Sequence, residues 1–284
     1  MKRRAAAVGV GVVLLTVCGT GCGTGEPSSA ASRSASAPIT VADTGSPAGT
    51  TLAAIYRAAL LRGGTDAVVV PTRDLSDALA ALDDTRVSLL PAFSGAALAL
   101  LNSSSDARTA EDVHEALARS LPDWLTVSDA ATAADDVVVR TSAPVTGAAT
   151  LSAFAPACAG LTVTVPGEAG EGILSTLDDV YGCRFAGTVD RGGDVTIGRA
   201  VTAPLPTGES GTGTTLTDDR AAFAAQEVAP LVRKGALDDA AAAALETVAG
   251  ELTTADLAAA TRRVDAGEPA DVVAQQWVDE VGGR

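Results

Sequence analysis

Between residues 39 and 95 three short apolar runs alternate with two helical repeats, and this alternation constrains the fold more than any other feature. Ile39-Thr40-Val41-Ala42 reads as a buried strand that ends at the turn Asp43-Thr44-Gly45-Ser46-Pro47. Leu52, Ile55, Tyr56, Ala59 and Leu60 then recur at i, i+3, i+4, i+7 and i+8, the spacing of one helix face. Ala67–Val70 is a second strand broken by Pro71, and Asp74 opens a helix carrying Leu75, Ala78, Leu79 and Leu82. Val87–Leu90 is a third strand, expected to stop at Pro91. A βαβαβ order requires parallel strands with right-handed crossovers, hence an α/β fold. In such sheets ligands bind outside the carboxyl ends of the strands, which here are 43–47, 71–73 and 91–95.

A second α/β unit is expected over 128–200. Its strands are 136–139, 161–165 and 195–197, and a helix through Ile173, Leu174, Leu177 and Val180 sits between the last two. Residues 201–216, rich in Gly, Thr and Pro, read as a loop and crossover. From Asp218 onward the periodicity predicts helix. Phe223, Val228 and Leu231 come first, then 238–251, 254–265 with Thr253 as N-cap, and 269–281 with Val273, Trp277 and Val281 on one face.

The amino terminus sets the compartment. Met1-Lys2-Arg3-Arg4 precedes an apolar stretch from Ala5 to Val17, too short to span a membrane comfortably but suited to a secretory leader. Residues 1–22 are therefore expected to be a lipoprotein signal peptide. Gly19-Thr20-Gly21-Cys22 resembles a lipobox, with Cys22 as the lipidated residue and Cys18, after Leu15-Thr16-Val17, as the alternative. Residues 23–38 have the small polar composition of a flexible linker. The remaining cysteines, Cys158 and Cys183, have no nearby His with which to share a metal. In an exported chain a disulfide is preferred over two buried thiols.

Charge excludes several functions. Lys and Arg number 20 against 35 Asp and Glu, and loss of the leader's three basic residues leaves 17 against 35, or −18. Such a body lacks the positive footprint that nucleic acid or anionic lipid requires. With one histidine, His114 on a solvated helix face, a His-based triad or a His/Cys zinc site is disfavoured, and no cofactor is expected. The Gly-rich run at 208–213 lacks the Lys-Ser/Thr of a phosphate-binding loop.

Four stretches in order carry a family resemblance: Ile39-Thr40-Val41 with the helix after it, Leu89-Leu90-Pro91-Ala92-Phe93-Ser94-Gly95-Ala96-Ala97-Leu98, Thr215–Arg220 through Pro230–Arg233, and Leu252–Leu257 through Trp277. Together they are similar to the substrate-binding proteins of glycine betaine/choline/proline-type (osmoprotectant) ABC importers, within the periplasmic-binding-protein superfamily. The resemblance implies the two-lobed type II fold, with 39–127 plus 201–284 as one lobe and 128–200 as the other, joined by two crossovers and closing on a small solute. It further implies a non-enzymatic, monomeric protein on the outer face of the cytoplasmic membrane that delivers solute to an ABC permease.

Quaternary amines are held by aromatic cages, and that feature is depleted here. Phe93 stands where the family has Tyr in its Y-T-G turn, Thr132–Ala134 where it has an N-T-Y-like stretch, and Gln226 near a further aromatic position. Tyr56, Tyr181 and Trp277 read as packed helix residues, and Trp124 is open to either reading. The polar candidates are Asp43, Thr44 and Ser46 after the first strand, Ser94 after the third, Ser128 and Asp129 at the crossover, Glu168 after a second-lobe strand, and Arg199 as a carboxylate clamp. Asp218 and Asp219 fit helix capping better than a ligand. Two other readings stay open: a ligandless surface interaction lipoprotein of the same fold, and an enzyme. The second lacks a nucleophile–base pair, since no Ser-x-x-Lys occurs.

Overall fold

The computed structural model describes residues 37–143, 147–165, 170–202 and 213–283. The expected signal peptide with Cys22, nearly all of the expected linker, and Glu168 lie outside the described residues.

The first sheet is built as the βαβαβ pattern predicts. β1 (Ile39–Asp43), α1 (Pro47–Arg62), β2 (Ala67–Pro71), α2 (Leu75–Asp83) and β3 (Leu89–Phe93) follow one another, and β1 pairs in parallel with both β2 and β3. Ser46 caps α1 through the Gly49 N–H, and Asp74 caps α2 through the Asp77 N–H. α3 (Ser94–Leu101), α4 (Ala110–Ser120) and β4 (Leu125–Val127) complete this stretch, and the sheet order is β2-β1-β3-β10-β4.

β10 (Val228–Arg233) corrects the expectation of helix from Asp218 onward. Pro230 has no N–H for a helical bond, and five of its six residues are buried, as in a strand covered on both faces. β10 runs antiparallel to β3 with Pro230 opposite Pro91, so Pro91 does not end the third strand, which continues to Phe93. Neither proline has an N–H to exchange. Facing each other they form a pair without mutual hydrogen bonds, where the absent donors point outward.

Side chains alternate across this sheet. Val41, Leu89, Val228 and Val232 join one buried cluster beneath α1 and the C-terminal helices α7 (Asp239–Glu251), α8 (Thr254–Asp265) and α9 (Ala270–Val281). Ala42, Leu90, Ala92 and Leu231 face the opposite cluster beneath α2, α3 and α4. α1 is buried on nearly every side, not on one stripe, because Ala53, Ala54, Ala58 and Ala59 let the sheet and three helices approach it.

The second sheet has order β7-β6-β8-β5-β9. Its strands are β5 (Val137–Thr141), β6 (Thr162–Thr164), β7 (Gly187–Thr188), β8 (Val195–Arg199) and β9 (Thr215–Leu216), with α5 (Leu151–Phe154) and α6 (Gly170–Tyr181) packed on them. Cys158 and Cys183 form a disulfide inside this sheet's own core. Loop composition put the return to the first sheet at 201, but β9 pairs with β5, so the return runs through 217–227. Before that, Val201 is buried in the first sheet's cluster. A Gly/Thr-rich stretch signals a loop without saying which sheet it rejoins.

Candidate functional site

The carboxyl ends of β1 and β3 carry most of the first-sheet candidates expected from the sequence. At β1 the Asp43 carboxylate accepts the Gly45 N–H at 2.8 Å and the Thr50 hydroxyl at 2.9 Å, while its carbonyl accepts the Thr72 N–H and hydroxyl. Gly45 takes φ +75°, the left-handed region that tight turns require. Thr44 lies against Gly49, where a Cβ would stand 1.9 Å from its hydroxyl. Asp43 and Ser46 thus organise the turn into α1.

At β3, Phe93 is half-buried against the first cluster. Ser94 is 2% exposed; its N–H donates to the Glu227 carbonyl at 2.8 Å and its hydroxyl to the Ala225 carbonyl at 3.3 Å. Gln226 then reaches α3: its Oε1 accepts the Ala96 N–H at 3.0 Å. A Cβ on Gly95 would fall 2.3 Å from the Gln226 amide nitrogen, so Gly95 leaves room for this side chain. The first-turn N–H that a ligand anion would favour is therefore satisfied by the chain itself.

The crossings carry a dense polar network. Asp135, 3% exposed, accepts the Val201 and Thr202 N–H groups at 2.8 and 2.9 Å and the Thr202 hydroxyl at 2.5 Å. Arg199 donates to the Asp135 carbonyl at 2.9 Å and stands 3.9 Å from its carboxylate. Asp136 accepts the Gln226 N–H at 2.9 Å, and the Asp135 N–H donates to the Gln226 carbonyl. One Asp-Asp pair thereby ties the outgoing crossing to both the segment after β8 and the returning one. Asp135 and Asp136 escape a motif search, and Gln226 enters it only as a departure from the family's aromatic position. The available signal was a pair of carboxylates inside the otherwise small and apolar run 130–139.

Ser128 and Asp129 stand elsewhere. The Phe93 end of β3 pairs with Val228, which bonds to Ala131 and Ala133, whereas Ser128 bonds to Pro230, two residues further along β10. Ser128 and Asp129 line a cavity of about 200 Å³ with Leu245 and Glu246 of α7. Trp124 is at the opposite end of the sheet, donating its indole N–H to Asp83 at 3.0 Å. Tyr56 and Trp277 are buried in the first cluster and Tyr181 in the second sheet's core, against which Phe223 also packs. The Tyr181 hydroxyl donates to Asp218 and accepts the Arg220 N–H, and burial pushes this phenol upward. Asp218 also accepts the Ala222 and Phe223 N–H groups, so it organises the returning crossing.

Burial raises the Glu227 carboxyl above its ordinary range, with Asp136 adding to the rise and His114 opposing it. A raised carboxyl favours the folded state below its unfolded pKa, and this advantage is lost as pH climbs through the folded value. Glu227→Gln is therefore expected to raise the melting midpoint at pH 7 and leave it nearly unchanged at pH 4. Equal shifts at both pH values would refute a charge-based penalty.

Among the described residues no cluster of His, Cys, Asp or Glu suits a metal ion, and no helix is long and apolar enough to cross a membrane.

Residues 193–280 match the model of a family described as the substrate binding domain of ABC-type glycine betaine transport systems. No curated protein matches the chain by sequence. Among solved structures, a glycine betaine/carnitine/choline ABC transporter protein is similar with a TM-score of 0.73 and 14% identity, over 86% of this chain and 97% of that one. Apo YehZ from Escherichia coli gives 0.71 and 16% over 87% and 99%. Lactococcal OpuAC, closed on glycine betaine, gives 0.51 and 13% over 86% and 96%. From β8 through α9 the chain thus carries the signature of the glycine betaine-type ABC substrate-binding domain, and its body as a whole has the fold of these proteins.

Proposed function

We propose that the protein is an extracytoplasmic solute receptor of an ABC importer, anchored by lipid at Cys22. It captures a small solute of the osmoprotectant class between its two lobes and presents it to a membrane permease. The observation that carries this reading is the family match over residues 193–280, which spans β8, the returning crossing, β10 and the three C-terminal helices. Two separate sheets, with the Asp135–Asp136 segment bonded to both the stretch after β8 and the returning one, support this reading of two lobes joined by crossings. In this reading Phe93, half-buried at the end of β3, contributes an aromatic face to solute recognition, with Asp43 and Thr44 at the end of β1.

Gln226 favours a second reading, the ligandless surface lipoprotein. Its amide occupies the start of α3, and Arg199 is engaged by Asp135.

Thermal unfolding of the purified protein with glycine betaine, proline betaine, choline, carnitine, ectoine, proline and small polyamines separates the two. A ligand at about 100 times its Kd stabilises by about 2.7 kcal/mol, or roughly 5–10 °C at this size. One compound should give that rise, and Phe93→Ala should remove it. A flat panel, with no co-purified ligand by native mass spectrometry, sinks the receptor reading.

A further inference from the structure

The returning crossing divides its bonds sharply between the bodies of the two sheets. Thr217 exchanges backbone bonds with Ala149 and Leu151, and the Asp219 carboxylate accepts the Ser152 N–H at 3.0 Å. Asp218 accepts the Tyr181 hydroxyl and the N–H groups of Ala222 and Phe223, the latter two at 2.9 and 3.1 Å. The Tyr181 oxygen accepts the Arg220 N–H at 2.9 Å. The Arg220 guanidinium donates to the Val180 carbonyl at 2.8 Å and lies over the Tyr181 ring. Ala222 and Phe223 then pack into the second sheet's core. At Ala224 the allegiance changes. Ala224 and Ala225 pack against the cluster beneath α2, α3 and α4, and the Ala225 N–H donates to the Arg108 carbonyl at 2.8 Å. Gln226 is tied to Asp136, and the Glu227 carbonyl to Ser94. Between Arg220 and Gln226 the Ala224 N–H is the one that has no partner among the described residues.

Ala221 lies inside the bonded stretch with φ +48°, in the left-handed region. An L side chain disfavours that region because its Cβ crowds the next carbonyl oxygen. Glycine is ordinary there, whereas alanine stays only where its surroundings impose the conformation. Here they do: the Ala221 N–H donates to the Asp218 carbonyl at 3.4 Å, and its neighbours Arg220 and Ala222 are fixed by Tyr181 and Asp218. We infer that Tyr181, Asp218 and Arg220 form a clamp that makes residues 217–223 part of the second sheet's body. The clamp holds Ala221 in its strained conformation and confines bending of the returning crossing to the link Phe223–Ala225. The motion that this pivot serves rests on the two-lobed receptor reading, while the clamp itself needs no solute. With one free link beside the Gln226–Asp136 bond, the two bodies turn about a fixed point and not about a slack loop.

The test compares melting midpoints and residue-resolved amide exchange in the purified protein and its variants. Ala221→Gly should raise the midpoint by about 2–4 °C, because glycine takes the same φ without strain. Asp218→Ala opens the clamp, and in that background the glycine rise should vanish, since residue 221 has already left the left-handed region. Should Asp218→Ala not fold, Tyr181→Phe weakens the clamp while keeping the ring, and there the glycine rise should fall to about half or less. In the wild type the Ala224 amide should exchange about tenfold faster than those of Ala222, Phe223, Ala225 and Gln226. Tyr181→Phe should accelerate exchange from Arg220 to Phe223 by about tenfold and leave Ala225 and Gln226 unchanged. A midpoint unchanged or lowered by Ala221→Gly overturns the strain clamp, as does an equal rise in the clamped and opened backgrounds. Acceleration that spreads equally to Ala225 and Gln226 overturns the pivot, because the crossing then opens as one piece. None of these readouts uses a solute, so a flat solute panel sinks the receptor reading and leaves the clamp standing.

Discussion

Asp135→Ala is expected to lower the melting midpoint by about 6–12 °C, the equivalent of about 3 kcal/mol for a chain of this size. The side chain is almost fully buried and accepts three hydrogen bonds from Val201 and Thr202. Truncation leaves two backbone N–H groups without an acceptor and removes the carboxylate nearest Arg199. Asp135→Asn keeps one carbonyl oxygen for the two N–H groups and loses the charge, so about half of the effect is expected. The ordering separates hydrogen bonding from charge: equal losses for Ala and Asn would assign the effect to charge. A change below about 0.5 kcal/mol for Asp135→Ala, typical of an exposed site, would mean that the crossings are held by their backbone pairing alone. Denaturant titration with both slope and midpoint is the suitable measurement, because a changed slope would report a loosened native state.

The same network bears on solute capture. Closure of two lobes requires that the crossings bend while their ends stay fixed. Asp135 fixes the segment after β8, Asp136 fixes the returning segment at Gln226, and Gln226 in turn caps α3 at the candidate cleft. This chain of contacts connects the start of α3 to the crossings. A ligand anion arriving at α3 has to displace the Gln226 amide, so its affinity includes the loss of that bond, about 1 kcal/mol for a neutral pair. A cationic solute held by the Phe93 face need not displace it. Under the receptor reading, the chemistry at the strand ends therefore favours solutes recognised through an apolar or cationic head over those recognised through an anion alone.

Legibility in the sequence followed the range of the interactions involved. β1, α1, β2 and α2 were visible because periodicity and capping are local: Asp74 and Thr253 cap where spacing puts them, while Ser46, read as a ligand candidate, caps α1. β10 was misread as helix because Val228 and Leu231 are three apart, a spacing compatible with helix, while its burial on both faces depends on β3 and β4. Pro91 looked like a strand terminator because proline usually is one. Its acceptance inside β3 depends on Pro230, 139 residues away, standing opposite it. β9 has only two residues and carries no pattern. At the candidate site, the strand ends were legible as positions. The partners of Asp43, Ser94 and Arg199 were not, because Thr50, Ala225 and Asp135 are brought to them by turns and crossings.

Replacing both Cys158 and Cys183 by Ala should be costly and confined to one half of the molecule. The bridge closes a separation of 25 residues, from the turn after α5 to the second residue beyond α6. The chain-entropy relation gives about 3.5 kcal/mol for a loop of that length, within the range of about 2–5 kcal/mol for removal of native bridges. Both cysteines belong to the core that also holds Phe154, Val163, Leu177 and Ile197, whereas the two clusters flanking the first sheet contain neither. It is also smaller than the first sheet's two clusters together, and covers a sheet with strands of two, three and two residues at β7, β6 and β9. Local stability tracks the density of such buried contacts. Amide exchange in the double variant should therefore accelerate across β6, β8 and α6, with β1, β3 and β10 retaining their protection. Reduction of the wild-type protein should give the same pattern, because it removes the bridge without removing side-chain volume. Uniform acceleration across both sheets would show that the second sheet does not open on its own, and that the two halves unfold as one cooperative unit.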